Sequence, residues 1–262
     1  MAAATVNKSM EKSVDVWYNL SISGFVFFRG ICCIMIQSVL FDLDDTILDF
    51  KKAERTALCK TLRKLGVEPT DYIIKQYSKY NLSQWKRLER GEITRSQVKV
   101  NRYRLLFDEL GLDFSPQEAT AIYENNLCVG HYFIDGAPEV LEELYQDYDL
   151  YLVSNGTKRV QDGRLASAGI AGYFKDIFIS ETIGYNKPSK EFFDSCFSKI
   201  PGFRKEKIVI IGDSLTSDIL GGKNAGIKTV WFNPNHQEKD SGIRPDYEID
   251  SLAQIKPLLE RI

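Results

Sequence analysis

Histidine is almost missing from this sequence. Only His131 and His236 occur in 262 residues, which leaves little room for histidine-based catalytic triads or multi-histidine metal centres. The five cysteines fall in no CxxC or Cys/His metal-ligand spacing and are odd in number. Reduced thiols in a cytoplasmic protein are the expected state. An excess of charge is lacking too: Lys plus Arg total 34 against 36 for Asp plus Glu, a formal net charge of −2. No basic surplus draws in a nucleic acid polymer through its phosphates. There is no GxGxxG, and Gly221-Gly222-Lys223-Asn224 lacks the leading glycine spacing and the Ser/Thr of a Walker A loop. No internal repeat or low-complexity segment stands out.

A clean membrane-spanning run is also wanting. Leu20 to Ile36 is apolar but broken by Arg29 and by Gly24 and Gly30, whereas a span needs roughly 20 uninterrupted apolar residues. Lys8 and Lys12 precede it as in a signal peptide. Against that, Asp15 intrudes, no small-x-small cleavage site follows, and the run flows straight into the first core strand. The expectation is therefore a domain starting near Met35, with 1–34 an extension or a misplaced start. A membrane anchor or signal is the alternative, and no membrane partner is expected.

What is present is a globular chain, 44% hydrophobic and 27% charged, an ordinary balance that argues against disorder. Ile36 to Phe41 reads as a short buried strand, and it runs into Asp42-Leu43-Asp44-Asp45-Thr46. The period then changes. Ala53–Leu65, Tyr72–Leu88, Gln97–Leu110 and Gln117–Val129 carry apolar residues at three- and four-residue spacing. Thr94-x-x-Gln97 and Ser115-Pro116-Gln117-Glu118 read as capping boxes, and Gly66, Gly91 and Gly111 stand where helices should end. This predicts a four-helix insert over 51–131. From Phe133 onward, β-rich runs at Asp149–Val153, Ile177–Ser180, Ile208–Ile211 and Lys228–Phe232 alternate with helical patterns at 138–147, 158–168, 189–199 and 216–225. Asp246–Ile249 is a possible edge strand, and Leu252–Ile262 a last helix. The fold class expected is α/β, a doubly wound parallel sheet built from 35–50 and 132–262.

Polar residues cluster where these strands end. The first delivers Asp42 and Asp44, the second Ser154-Asn155-Gly156, the fourth Asp213 and then Asp218. Lys187 precedes Pro188, which biases it to an extended loop conformation. In a parallel sheet these ends share one edge, the edge where ligands bind. Four carboxylates against one ammonium call for a divalent cation, and all-oxygen ligation suits Mg²⁺. A hydroxyl, an amide and backbone N–H groups would cradle phosphate oxygens there. Asp42 is then a carboxylate nucleophile, with Asp44 placed as general acid and base.

DLDDT, the strand ending in Ser154-Asn155, Lys187-Pro188 and Gly212-Asp213-x-x-x-x-Asp218, in this order, resemble the four motifs of the haloacid dehalogenase-like hydrolase superfamily. The resemblance covers 36 to about 250. It implies a Rossmann-like core whose helical insert is a C1 cap closing over small phosphorylated metabolites. It further implies that Asp42 forms an aspartyl-phosphate and that Asp44 protonates the leaving group and then activates water. Mg²⁺ would be held by Asp42, the Asp44 carbonyl and Asp213, and phosphate by Ser154, Asn155 and Lys187. Asp218 would orient Lys187 or a metal-bound water. The haloalkanoic acid dehalogenases of the superfamily lack the second acid, so Asp44 favours phosphoryl chemistry. The run from Ser154 through Arg164-Leu165, Gly169-Ile170 and Ile179-Ser180-Glu181 to Lys187-Pro188 is similar to YjjG-type pyrimidine 5′-nucleotidases.

The leaving group is expected to meet Asp49 and Phe50 just after the first motif, and Trp85 and the Gly91 turn in the cap. Arg87, Arg90, Arg102 and Arg104 are further cap candidates, though helices carry such residues on solvated faces routinely. Asp45 is expected to be a solvated turn residue. The reading that follows is a cytoplasmic Mg²⁺-dependent phosphohydrolase, monomer or homodimer, acting on pyrimidine nucleoside monophosphates. Its rivals are a sugar-phosphate or phosphoglycolate phosphatase, a phosphoglucomutase-like isomerase, and a regulatory or binding member of the fold with little turnover.

Overall fold

A computed structural model describes residues 35–238 and 242–262. The expectations for 1–34 lie outside them. The first strand, β1 (Ser38–Phe41), is buried along its whole length. Its alternation divides the interior: Val39 and Phe41 join the apolar cluster on one sheet face, Leu40 the cluster on the other.

Four helices follow: α1 (Phe50–Lys64), α2 (Asp71–Glu89), α3 (Arg95–Leu110) and α4 (Pro116–Leu127). Each has a side-chain N-cap. Asp49, Thr70, Thr94 and Ser115 accept from the backbone N–H three residues on, and Thr94 with Gln97 completes a reciprocal capping box. The helices pack as the pairs α1–α4 and α2–α3 around their own apolar cluster, which includes Leu58, Leu62, Tyr77, Tyr103 and Tyr123.

The chain then alternates: α5 (Ala137–Leu144), β2 (Asp149–Ser154), α6 (Lys158–Ala168), β3 (Asp176–Ile179), a single turn α7 (Ser180–Ile183), α8 (Lys190–Phe197), β4 (Ile208–Gly212), α9 (Leu220–Ala225), β5 (Lys228–Phe232), β6 (Tyr247–Ile249) and α10 (Ile255–Leu259). All strand pairs are parallel, in the order β3-β2-β1-β4-β5-β6. Successive strands run outward from β1 on one side, and β4 then starts again on the other. The switch point, where a crevice opens beyond the strand ends, therefore falls between β1 and β4. Phe41 pairs with Ile211, so Asp42 and Asp213 emerge at that crevice side by side.

Two expected helices are interrupted. The one expected over 216–225 begins as a wider π turn, Leu215–Ile219, before α9. Within it Asp218 turns its side chain back to accept from Ser214 N at 3.1 Å, a competitor to regular winding. The last helix is split into a 3₁₀ turn, Leu252–Gln254, and α10.

Candidate active site

Asp42 continues β1 and is 7% exposed. Its Oδ1 accepts from Lys187 Nζ at 2.6 Å, and Thr46 Oγ1 approaches Oδ2 at 3.4 Å. Lys187 is 1% exposed and donates also to Asp218 Oδ1 at 2.7 Å and to Val153 O at 2.8 Å. Burial works against the lysine's charge, but Asp218 and Asp42 outweigh it and hold its pKa above the ordinary value. Asp218 needs room to reach it. A side chain at Gly212 would place its Cβ 2.3 Å from Asp218 Oδ2, so only glycine fits there.

Carboxylate oxygens of Asp42, Asp213 and Asp218 lie within 4.8 Å of one another. Burial pushes Asp42 up to about 8 despite Lys187. Burial, then repulsion from Asp42 and Asp218, pushes Asp213 well up. One ammonium thus leaves the site short of positive charge. Three hard oxygen donors with that deficit fit a small divalent cation.

Asp44 stands across the same cavity, its side chain 29% exposed. Both of its oxygens are taken: Gln161 Nε2 donates to Oδ2 at 2.7 Å, and Arg164 pairs with Oδ1. Ser154 is fully buried and is not on the cavity wall; its Oγ accepts from Gly156 N at 3.0 Å and Gln161 Nε2 at 2.9 Å. Asn155 lines the cavity and brackets the backbone of Lys187, accepting from its N–H at 2.8 Å and donating to its carbonyl at 2.9 Å. The amide thereby fixes the loop that carries the ammonium.

The cavity of about 230 Å³ is lined also by Phe50, Trp85, Glu89, Arg102 and Tyr123. Phe50 and Trp85 line the cavity. Asp49 does not: its carboxylate caps α1 by accepting from Lys52 N at 2.8 Å, away from the cavity wall. Gly91 ends α2 at φ +73° and also stays off the wall, while Glu89, two residues earlier, reaches Thr216 Oγ1 at 3.4 Å. Asp45 is not a solvated turn residue. At φ 60° it turns its Oδ1 to Phe50 N at 2.9 Å and Lys51 N at 3.3 Å, and it lies on the cavity wall. Arg87 and Arg90 pair with Glu92, and Arg104 is exposed. Arg102 alone of the four faces the cavity.

Sequence reasoning missed Arg95, the first residue of α3, which touches the strand ends. It donates to Asn155 O at 3.1 Å, Gly156 O at 2.7 Å, Ser180 Oγ at 2.7 Å and Asn186 Oδ1 at 2.6 Å. Gln161 was missed as well, and Arg164 entered only through the family resemblance, with no contact assigned to it. Their spacing of three on α6 was the available signal that both share the face turned to the site.

Known proteins resemble this chain in sequence and fold. The sequence model for haloacid dehalogenase-like hydrolases matches residues 39–232. The putative HAD-hydrolase YfnB of Bacillus subtilis is 40% identical over 223 residues, 85% of this chain and 95% of that protein. Its crystal structure, bound to magnesium and described as revealing interdomain movement, superposes with a TM-score of 0.83 over 87% of this chain and all of that one. Pyrimidine 5′-nucleotidase PynA of Streptococcus pneumoniae is 38% identical over 224 residues, 85% and 94% of the two chains. Pyrimidine 5′-nucleotidase YjjG of Escherichia coli is 28% identical over 221 residues, 84% and 96%. With its four strand-end motifs converging on one crevice and the family's sequence model spanning most of its length, this chain belongs to the haloacid dehalogenase-like hydrolase family.

Proposed function

We propose that the protein is a Mg²⁺-dependent phosphohydrolase of small phosphomonoesters, with pyrimidine nucleoside 5′-monophosphates as its substrates. The observation that carries this reading is Asp42 held at the end of β1 by Lys187, beside Asp213 and Asp218 and across one cavity from Asp44. Residues 35–50 and 132–262 form the catalytic core in this reading, and 51–131 the cap over it.

In the first step an Asp42 oxygen attacks phosphorus and the ester oxygen departs, taking a proton from Asp44. In the second, Asp44 removes a proton from water as that water attacks the aspartyl-phosphate, which frees phosphate and restores Asp42. Lys187 offsets the charge shared between the carboxylate and the phosphoryl oxygens. Asp42, Asp213 and the Asp44 carbonyl would hold the metal, which when bound supplies charge neutralisation for the phosphoryl group. Uncatalysed hydrolysis of such esters needs up to about 10²¹-fold acceleration, and a cap that excludes water strengthens every charge in the site.

Support for the nucleotide comes from the two relatives named as pyrimidine nucleotidases and from the aromatic wall of Phe50, Trp85 and Tyr123, which suits a flat leaving group. The test is phosphate release from UMP, dUMP, dTMP, AMP, glucose phosphates and phosphoglycolate, with Mg²⁺ and with EDTA. Metal-dependent turnover led by pyrimidine nucleotides is expected. Equal turnover of the sugar phosphates would discard the nucleotide, and full activity of Asp42→Ala would discard the mechanism.

A further inference from the structure

We propose that Gln161 and Arg164, on core helix α6, are positioning residues that set where the Asp44 carboxylate stands for proton transfer. This rests on the reading of Asp44 as the acid and base of the phosphohydrolase. The two side chains hold one oxygen each, Gln161 at Oδ2 and Arg164 at Oδ1. They are also joined to each other, Arg164 Nη1 lying 3.2 Å from Gln161 Oε1.

Each member of the pair is anchored independently of Asp44. Gln161 Nε2 is also shared with Ser154 Oγ at the end of β2. It lies flat on the backbone at Gly156, where an added Cβ would stand 2.3 Å from that nitrogen. Arg164 donates from Nε to Gly130 O at 3.0 Å, on the segment that returns from the four helices to the core. Its guanidinium also sits over the Phe50 ring, 5.6 Å from the centroid. Gln161 is 1% exposed and Arg164 not exposed at all.

Stability alone is a poor reason for this arrangement. A buried guanidinium is costly to desolvate, and here its Nη2 is buried without a hydrogen-bond partner. Asp44, by contrast, is partly open to the cavity. It stands just before a short turn, bridged to Leu48 by its backbone, where a carboxylate with no partners would sample several rotamers. Two fixed donors, one for each oxygen, select one rotamer. Proton transfer needs that selection twice, since the leaving oxygen and the attacking water must both come within hydrogen-bond reach of Asp44. Side chains locked by a supporting shell are how such placement is kept.

The test exploits leaving groups. Departure of p-nitrophenolate needs no proton, whereas a nucleoside or simple alkyl alkoxide does. The quantity read is kcat/KM, which reports steps up to leaving-group departure, for p-nitrophenyl phosphate and for an alkyl phosphomonoester on the same enzyme sample. The fraction of folded enzyme then cancels in the ratio of the two. Asp44→Asn is expected to lose about 10²- to 10⁴-fold on the alkyl ester and far less on the aryl one. Arg164→Gln and Gln161→Leu are expected to lose about 10- to 100-fold on the alkyl ester, the scale of a small misplacement, and less than about 3-fold on the aryl ester. Arg164→Lys should recover part of the alkyl activity. Arg164→Gln added to Asp44→Asn should cost nothing more on the alkyl ester, because both remove one function.

Equal losses on both esters in the α6 variants would overturn the positioning role while leaving Asp44 as the acid. So would a full further loss in the double variant. If Asp44→Asn itself shows no difference between the esters, the reading of Asp44 falls, and the positioning role with it.

Discussion

Two of the cations buried among the described residues, Lys187 and Arg102, are held in two ways. Lys187, in the core, meets carboxylates directly: Asp42 and Asp218 stand 2.6 and 2.7 Å from its ammonium. Arg102, in the helical insert and 3% exposed, meets none at that range. It donates to Asn81 Oδ1 at 2.9 Å and lies over the Tyr123 ring at 4.6 Å, with Tyr77 and Tyr103 at 5.7 Å. The nearby buried acid, Glu54, is bonded instead by Asn81 Nδ2 at 2.6 Å and Ser78 Oγ at 2.8 Å. Asn81 therefore stands between the charges. Converging strand ends force unlike charges together and leave surplus anion for a metal. Packed helices spread a charge over amides and ring faces and leave a wall that is cationic yet mostly aromatic. The first arrangement suits phosphoryl chemistry and the second suits selection of a leaving group.

Removing each cation should break the comparison unequally. Lys187→Met leaves Asp42 and Asp218 facing each other without their counterion. Activity is expected to fall by at least about 10²- to 10³-fold, and unfolding in urea with EDTA should show a loss of about 3–5 kcal/mol. Arg102→Met strands no directly paired carboxylate, so a loss of about 1–3 kcal/mol is expected. Its kinetic mark should be different: KM for a nucleotide rising about tenfold, some 1.4 kcal/mol of binding, with turnover of p-nitrophenyl phosphate kept. If both variants lost stability and activity alike, the division of labour between the two regions would be wrong.

The same contrast explains what could be read from the sequence. Asp42, Lys187, Asp213 and Asp218 were legible because a parallel sheet gathers its strand ends by construction, whatever the side chains do next. The helices were legible through their period and caps. Asp49 was misread because a carboxylate at a helix start serves a backbone N–H as readily as a ligand, and nothing local decides between them. Asp45 was misread because its left-handed backbone turns the side chain onto Phe50 N and Lys51 N rather than into water. Ser154 accepts from Gly156 N, two residues on, and from Gln161 Nε2, a donor that appears only once α6 is packed. Arg95 reaches its partners across 60 to 91 residues, and Gln161 and Arg164 reach Asp44 across 117 and 120. Contacts that long depend on how segments far apart in the chain pack together, which periodicity does not encode.

The smallest expected effect is the most selective one. Asp42 has an ordinary pKa of 3.8 and is pushed up to about 8 in the folded protein, chiefly by burial. Between those values the folded state holds a proton that the unfolded chain has released. The stability from this group is therefore complete below pH 4 and is lost as pH rises through 8. The shift of Asp213 acts in the same direction, and so does that of Glu54 in the insert, again through burial. With EDTA present, thermal unfolding should thus move to lower temperature between pH 5.5 and 8. Mg²⁺ separates the two regions, because a cation bound by carboxylates displaces the protons from them and binds more tightly as pH rises. The gain in unfolding temperature on adding Mg²⁺ is expected to be larger at pH 8 than at pH 5.5, and to vanish in Asp42→Asn. The part of the pH slope due to Glu54 should survive that substitution, since no metal answers it. A Mg²⁺ gain independent of pH, or one kept by Asp42→Asn, would place the cation away from the strand-end carboxylates.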